Sequence, residues 1–137
     1  VMQGGAGLQL LARTIEATLA KARQHPALAA YAGQLAQALQ DVGEATQAAW
    51  ATGNPGEALA NAVPYMQAFG HVVLAWMWLD VACSVLAADA TLSVAANAGR
   101  MGATRYFFHY ELPKIGAWLA VVRTRDATCA GLAEDAF

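Results

Sequence analysis

The sequence predicts an all-α protein arranged as an antiparallel up-and-down four-helix bundle. Hydrophobic residues make up 58% of the chain and charged residues only 13%, and much of the apolar share is alanine, which favours helix. Apolar residues recur at spacings of three and four along four segments, and strand-like alternation is absent from the sequence. Short connections between long helices favour antiparallel neighbours. We therefore expect one helical domain over residues 1–137.

The first two helices are predicted at residues 6–23 and 26–51. His25 and Pro26 separate them, because a residue that precedes proline is disfavoured in helical conformation. In the second helix, glutamines line the face opposite the apolar stripe, so we expect that face to be solvated. The stripe of the first helix comprises Leu8, Leu11, Ile15, Leu19 and Ala22.

A third helix is predicted at residues 55–88. Asn54 can cap it, Pro55 suits its first position, and Glu57 stands at the capping-box position. Pro64 removes a hydrogen-bond donor and crowds the preceding turn, so we expect a kink near this residue.

The third helix is apolar on two opposite faces, and we expect the rest of the chain to be organised around it. At 100° per residue, Trp76 and Trp78 point about 200° apart. A helix that is apolar on both faces is normally covered on both. Neighbouring helices can cover one face, so the other is predicted to contact a further partner.

The fourth helix is predicted at residues 90–123, with Asp89 or Thr91 as its cap and a kink or end at Pro113. A cluster of aromatic residues precedes this proline. Together with the large side chains of the third helix, these aromatics are candidates for an interface with another molecule. The interface candidates are Phe69, Trp76, Trp78, Tyr106, Phe107 and Phe108.

Asp80 is an unusual residue because it lies inside an otherwise apolar helix. If the third and fourth helices run antiparallel about a turn near residues 89–91, facing residues have numbers that sum to about 180, which places Asp80 level with Arg100. We predict a structural ion pair between them, since a buried carboxylate needs a partner. The alternative is that Asp80 points to solvent or to a polar backbone group. His71 is expected to be a satisfied core histidine outside that contact.

Several function classes are disfavoured by the sequence. The uncharged run Ala58–Leu79 has the length of a membrane span, but it contains Asn61, Pro64 and His71 and lacks flanking basic clusters, so we expect no membrane. The net charge of −2 and the scattered basic residues argue against nucleic acid. We found no catalytic, cofactor-binding or metal-binding signature.

Two further expectations concern compartment and chain length. The chain has two widely spaced cysteines, and a mid-helix Cys83 is expected to be a buried free thiol. This is compatible with a reducing compartment, so we expect a cytoplasmic protein. The first residue is Val1, and we expect the chain to be the C-terminal fragment of a longer protein.

The third and fourth helices resemble the C-terminal helical domain of flavin-dependent acyl-CoA dehydrogenases of the 3-methylmercaptopropionyl-CoA dehydrogenase type. That domain carries the pattern Tyr-(Leu/Met)-x-x-Phe-Gly-x-x-x-x-(Gly/Ala)-Trp, followed by aromatics and a Leu-Pro. The residues that match the first part are Tyr65, Met66, Phe69, Gly70, Ala75 and Trp76, and those that match the second are Ala103, Tyr106, Phe107, Leu112 and Pro113. The closing Asp135 to Phe137 is similar to the end of such chains.

The resemblance implies a non-catalytic helical domain attached to a catalytic body that binds FAD and oxidises acyl-CoA. The family's catalytic carboxylate and flavin-contacting segments belong to that body, so no such role is carried over to a residue of this chain. The implied partners are the catalytic body and further copies of the chain, with FAD as a cofactor of the parent enzyme only. Two alternatives stay open, namely a stand-alone homodimeric four-helix interaction module and a membrane-associated helical bundle.

Overall fold

The structure, a computed structural model, describes residues 5–87 and 93–136. In this part of the chain it contains six α-helices and no β-strand, which confirms the all-α class. The helices are α1 (Ala6–Arg23), α2 (Ala29–Ala49), α3 (Pro55–Leu59), α4 (Ala62–Leu86), α5 (Val94–Tyr106) and α6 (Ile115–Arg123). A π-helical turn (Phe107–Glu111) and a 3₁₀ turn (Leu112–Lys114) connect α5 to α6, and a further 3₁₀ turn covers Glu134–Ala136.

The first two helices lie close to their predicted bounds. Helix α1 coincides with the predicted range 6–23, whereas α2 begins at Ala29 rather than at residue 26. Residues 26–28 form a turn, in which the Leu28 N–H donates to the His25 carbonyl at 2.9 Å. After α2 the chain reverses at Gly53, whose φ of 70° lies in the left-handed region that glycine adopts at little cost.

The predicted helix 55–88 is divided into α3 and α4 by a break at Ala60 and Asn61. The Asn54 Oδ1 caps α3 by accepting the Gly56 N–H at 2.8 Å. In a continuous helix, the ring of Pro64 would clash with the carbonyl four residues earlier, which is that of Ala60. In the observed structure Pro64 lies in the first turn of α4, where its missing N–H needs no partner. The expected kink is therefore a complete break.

Glu57 does not complete the predicted capping box. Its carboxylate instead accepts the Thr52 hydroxyl proton at 2.7 Å, and its Oε2 lies 3.9 Å from Nε of Arg125. Glu57 thus links α3 to the end of α2 and to the segment after α6.

Helix α4 packs against α1, α2, α5 and α6. The buried residues of α4 form a narrow stripe that lies between the face bearing Trp76 and the face bearing Trp78. Small side chains dominate this stripe and the corresponding stripe of α2, which permits a short distance between helix axes. The stripe of α4 comprises Ala68, Val72, Ala75, Leu79 and Ala82, and that of α2 comprises Ala32, Leu35, Ala38, Val42, Ala45 and Ala49.

Successive long helices reverse direction along the chain, as in an up-and-down bundle. Contacts between α1 and α4 advance together along both helices, from Thr18 with Trp76 to Lys21 with Asp80, so the two run parallel. Helices α2 and α6 are likewise parallel, since Asp41 meets Arg123 at the end of α6 and Ala48, further along α2, meets Arg125 just beyond it. These parallel pairs pack directly on each other, and the antiparallel four-helix arrangement is not confirmed.

The last predicted helix, 90–123, is interrupted over residues 107–114. The predicted caps Asp89 and Thr91 lie outside the described residues, and α5 is capped by Ser93, whose Oγ accepts the Ala96 N–H at 3.2 Å. Pro113 cannot donate a backbone hydrogen bond. The chain passes this proline through the π-helical and 3₁₀ turns, so the expected disruption extends over two turns of helix.

Two leucines of α4 provide a test of this packing. Leu79 has no exposed surface, whereas 44% of Leu74 is exposed. We expect Leu79→Ala to lower the free energy of unfolding by about 2–5 kcal/mol through lost burial and a cavity. Leu74→Ala, in the same helix, should cost less than about 1 kcal/mol. Urea unfolding of both variants measures the difference, and equal losses would contradict the assignment of the buried stripe.

Candidate functional surfaces

The structure distributes the six predicted interface residues over three environments. Phe107 and Phe108 are buried in the core, so their assignment to a surface of this chain was wrong. Phe69, Trp76 and Trp78 are partly buried and pack against the core from the two flanks of α4. Tyr106 is 53% exposed, and its ring stacks on Tyr110 with centroids 5.2 Å apart.

The exposed apolar surface of α4 is a stripe that the sequence interpretation did not single out. Val63, Met66, Leu74 and Met77 are all exposed, with Met77 55% and Val63 71% accessible. Together with Gly70, they follow the spacing of three and four that places residues on one helical face. We call these five residues the outer stripe. The same spacing rule could have identified it, but the larger tryptophans on the flanks dominated the pattern.

Gly70 forms a notch in the middle of the outer stripe. A Cβ atom at this position would meet nothing within 4 Å, so no neighbour in the described part of the chain requires glycine here, as is also true of Gly33 and Gly43 in α2. Glycine in a helix interior costs roughly 0.5–1 kcal/mol relative to alanine. A close approach by a group outside this chain would account for it.

Asp80 pairs with α1 and not with Arg100, so the predicted ion pair was wrong. Its Oδ1 lies 3.9 Å from the Lys21 Nζ, and the Thr18 hydroxyl donates to it at 3.4 Å. Half of the Asp80 side chain is exposed. The predicted antiparallel register of α4 and α5 is observed, because the Thr104 hydroxyl donates to the Trp78 carbonyl. The two residue numbers sum to 182, close to the expected sum of about 180 for facing residues. Asp80, two residues further on, points about 200° away from that contact.

The Thr18 hydroxyl connects this polar contact to a tryptophan. Thr18 is buried, and its oxygen accepts the indole N–H of Trp76 at 2.8 Å. The same hydroxyl has one proton, which it donates to Asp80. Trp76 is thereby fixed against α1 by a satisfied hydrogen bond.

A second polar cluster surrounds Glu111, at the end of the π-helical turn. The Tyr106 hydroxyl donates to Glu111 Oε1 at 2.9 Å, and the Lys114 ammonium donates to both carboxylate oxygens at 2.8–2.9 Å. The hydrogen bonds from Lys114 and then from Tyr106 lower the pKa of Glu111. In turn, the hydrogen bond to Glu111 raises the pKa of both Tyr106 and Lys114. At neutral pH Glu111 is therefore an ionised acceptor.

His71 joins α4 to this cluster. Its Nε2 lies 3.4 Å from Glu111 Oε2, and its Nδ1 lies 3.0 Å from the Gln67 carbonyl oxygen. The ring contacts Trp118 edge-on, with centroids 4.7 Å apart, as well as Phe107. As expected, His71 is separate from the Asp80 contact. The arrangement is structural in character, because each polar group is directed at another side chain or a backbone carbonyl of the same domain.

Both cysteines carry free thiols. Cys83 is buried in α4, as predicted, and Cys129 is exposed. Burial, and secondarily the nearby Asp80 carboxylate, raises the pKa of the Cys83 thiol. Cys83 therefore behaves as a small hydrophobic side chain. Within residues 5–87 and 93–136, no three His, Cys, Asp or Glu side chains come close enough to hold a metal ion.

Among the grooves on the described surface are four of about 290–470 Å³. Their linings are mainly apolar and contain neither lysine nor arginine. A pyrophosphate such as that of FAD is normally held by backbone N–H groups at a helix N-terminus or by cationic side chains. These grooves do not fit such a group, so we derive no flavin chemistry from them.

Helix α4 also meets the length and hydropathy criteria for crossing a membrane, with a mean hydropathy of 1.6. This is weak evidence, because the core helix of a water-soluble protein passes the same test. Helix α4 contacts four other α-helices, while 28% of its most apolar 18-residue window is buried.

Comparison with known proteins identifies the family. The family model described as acetyl-CoA dehydrogenase C-terminal like matches residues 11–133, which is most of the chain. The chain belongs to this family. No curated protein and no solved structure matches it. The match supports a C-terminal domain of an acyl-CoA dehydrogenase, in agreement with the resemblance found in the sequence.

In this acetyl-CoA dehydrogenase C-terminal-like domain, the motif from Tyr65 to Trp76 lies in the first half of α4. The Tyr65 hydroxyl contacts the Thr46 hydroxyl at 2.9 Å, while Trp76 donates to Thr18. These contacts join α4 to α2 and to α1. These motif residues therefore join α4 to its neighbours, whereas Met66 and Gly70 are the motif members that lie on the outer stripe.

The polar contacts between α1 and α4 predict a ranking of mutational effects. Because Asp80 and Lys21 are both largely exposed, a double-mutant cycle with Asp80→Asn and Lys21→Met should give a coupling below about 1 kcal/mol. Thr18→Val should cost about 1–3 kcal/mol, since it leaves the Trp76 indole N–H without its acceptor. Urea unfolding of the variants measures both effects. Strong coupling of Asp80 to Arg100, or a neutral Thr18→Val, would contradict the observed contacts.

Glu111 predicts a pH-dependent contribution to stability. Its pKa is lowered in the folded state, so its contribution is present above the unfolded value of about 4.3 and is lost as the pH falls through the folded value. We expect Glu111→Gln to lower the free energy of unfolding at pH 7. The difference from the unmodified chain should shrink in acid, where both carry a neutral side chain. The exposed Glu44→Gln serves as the control, and a Glu111→Gln effect that is constant with pH would contradict the prediction.

Proposed function

We propose that the chain is a non-catalytic C-terminal domain of a flavin-dependent acyl-CoA dehydrogenase of the 3-methylmercaptopropionyl-CoA dehydrogenase type. The observation that carries the proposal is the family match over residues 11–133. The sequence pattern in α4 and in the Leu112-Pro113 region supports the finer assignment. On this proposal the preceding body binds FAD and oxidises an acyl-CoA in the cytoplasm, and this domain contributes to packing or oligomerisation of the parent enzyme.

The outer stripe supports a docking role for this domain. Val63, Met66, Leu74 and Met77 give α4 an exposed apolar face, and such faces on soluble proteins commonly mark interaction sites. No charged side chain interrupts the sequence from Ala58 to Leu79, so the face is not protected against association. The Gly70 notch would let a helix or a backbone segment of the partner approach closely. We propose that the outer stripe packs on the catalytic body or on a second copy of this domain.

The alternative is a stand-alone interaction module that forms a homodimer through the same stripe. The two differ in what precedes the chain in the gene. Several hundred upstream residues with dehydrogenase motifs would support the enzyme domain, and an unrelated or absent upstream region would support the module. On either proposal, neither nucleic acid nor membrane is the partner.

A charge placed in the outer stripe tests the docking proposal. We expect Leu74→Asp to weaken association at least tenfold, because an unpaired carboxylate in an apolar interface is strongly disfavoured. Leu132→Asp is a matched control, since Leu132 is similarly exposed but lies outside α4. Sedimentation velocity of the full-length protein and of this chain distinguishes docking on the catalytic body from self-association.

The outcomes separate clearly. A Leu74→Asp protein that keeps the assembly state of the unmodified protein, with circular dichroism showing an intact fold, would refute a docking role for the stripe. Gly70→Ala provides a second readout. It should raise the stability of the isolated chain by up to about 1 kcal/mol while weakening association. Stabilisation without loss of association would mean that the notch has no partner.

A further inference from the structure

A cavity of about 290 Å³ lies where the end of α2, the short α3, the start of α4 and α6 meet. It is partly open to solvent and more enclosed than the three other grooves described above. Dry apolar cavities of about 150 Å³ hold one benzene molecule, so this cavity is large enough for a somewhat larger compound. Leu59 and Met66, both well exposed, form its rim.

The lining of this cavity is apolar except for one pair of hydroxyl groups. Trp50 and Ala58 contribute apolar surface, and no charged side chain takes part. The polar pair is formed by Thr46 and Tyr65, whose oxygens are 2.9 Å apart. Ligand pockets commonly combine such an apolar lining with a few convergent polar groups.

The direction of the hydrogen bond in this pair follows from the third partner. The Thr46 hydroxyl has a single proton and donates it to the Val42 carbonyl at 2.7 Å. Tyr65 must therefore donate its proton to Thr46. The Tyr65 oxygen keeps its lone pairs and can accept a hydrogen bond from a ligand.

The walls of the cavity are fixed by contacts from the segment after α6. The Arg125 guanidinium donates to the Ala48 carbonyl at 2.7 Å and so holds the end of α2. The Asn61 amide, at the break between α3 and α4, donates to the Asp126 carbonyl at 2.9 Å and to the Val121 carbonyl at 3.3 Å. Arg125 adopts a φ of 50°, an uncommon conformation for a residue with a side chain. The cavity is thus part of the folded framework.

We infer that this cavity is a binding site for a small neutral alcohol. The apolar lining takes the alkyl body, and the Tyr65 oxygen accepts the hydrogen bond of the ligand hydroxyl. An anionic compound is disfavoured, because burying a carboxylate without a cationic partner costs several kcal/mol. The inference does not depend on the proposed role of the domain in an acyl-CoA dehydrogenase.

Three probes with alkyl chains of similar length test the chemistry of the site, namely hexan-1-ol and 1-methoxyhexane, which share a hexyl group, and hexanoate, which has a pentyl group. Methyl NMR shifts of Leu59 and Met66 report binding to the 137-residue chain. We expect hexan-1-ol to bind about fivefold more tightly than the ether, which cannot donate a hydrogen bond, and hexanoate to bind much more weakly. Failure of hexan-1-ol to shift these methyl signals up to its solubility limit would overturn the proposal, as would equal affinity for hexanoate.

Two variants locate the site. The double variant Tyr65→Phe/Thr46→Val removes the Tyr65 acceptor and also the Thr46 oxygen that Tyr65→Phe alone would leave free to accept, so it should abolish the preference for the alcohol over the ether. Ala58→Leu should fill the cavity and weaken both probes at least tenfold. Ala60→Leu is the control, because Ala60 is the same residue type two positions on but does not line the cavity.

The combined result is decisive even where one variant is destabilised. If Ala58→Leu fails to fold, the comparison of alcohol with ether in Tyr65→Phe/Thr46→Val still decides, because it measures a difference between two probes in one protein. A preference for the alcohol that persists in this double variant would overturn the proposal. Unchanged binding in a folded Ala58→Leu would do the same.

Discussion

The arrangement of this domain depends on a narrow, alanine-rich seam between α2 and α4. Alanine fills much of both buried stripes, so the two helices can approach closely and bury little volume between them. The large apolar side chains of α4 are thereby excluded from the seam. The tryptophans pack on the two flanks, where α1 and α5 contact them through Thr18 and Thr104. What remains outside is the outer stripe, which no helix of the described part covers.

The second constraint is the break between α3 and α4. Pro64 prevents a continuous helix. Polar side chains at the break and in α3 contact the segment that follows α6. Asn61 contacts the backbone after α6, and Glu57 contacts both Thr52 and Arg125. The break before Pro64 thus lies beside both the contacts to the segment after α6 and the cavity.

The sequence predicted the class and most helix positions, because these depend on local spacing. The predicted range 6–23 of the first helix was correct, because its apolar residues recur regularly and Pro26 marks where the helix must end. The partner of Asp80 was wrong for a different reason. The antiparallel register correctly gives the position of Asp80 along the helix axis, level with Arg100. It does not determine the side of the helix on which the side chain lies, and Asp80 lies on the side that faces α1.

Phe107 and Phe108 were assigned to an interface as members of an aromatic cluster, although their spacing also fits a core face. The buried residues Thr104, Phe108, Leu112, Ile115, Leu119 and Val122 recur at spacings of three and four, which places Phe108 on the buried side. Phe108 lies in the core against Tyr31, with ring centroids 4.8 Å apart. The spacing does not reveal the π-helical turn itself, although Pro113 marks where the α-helix is interrupted.

The family motif illustrates why fold and function must be argued separately in this domain. Tyr65 joins α4 to α2, Phe69 packs on the flank, and Trp76 joins α4 to α1. These motif residues make the contacts between helices. A match to the family therefore predicts the architecture of the domain but not a catalytic activity. Gly70 makes no such contact, since a Cβ atom there would meet nothing within 4 Å, as is also true of Gly33, Gly43 and Gly102 in other helices. What distinguishes Gly70 from these glycines is its place between Met66 and Leu74, which are both exposed and apolar. The proposed docking role therefore rests on the exposed apolar side chains of the outer stripe and only secondarily on its glycine.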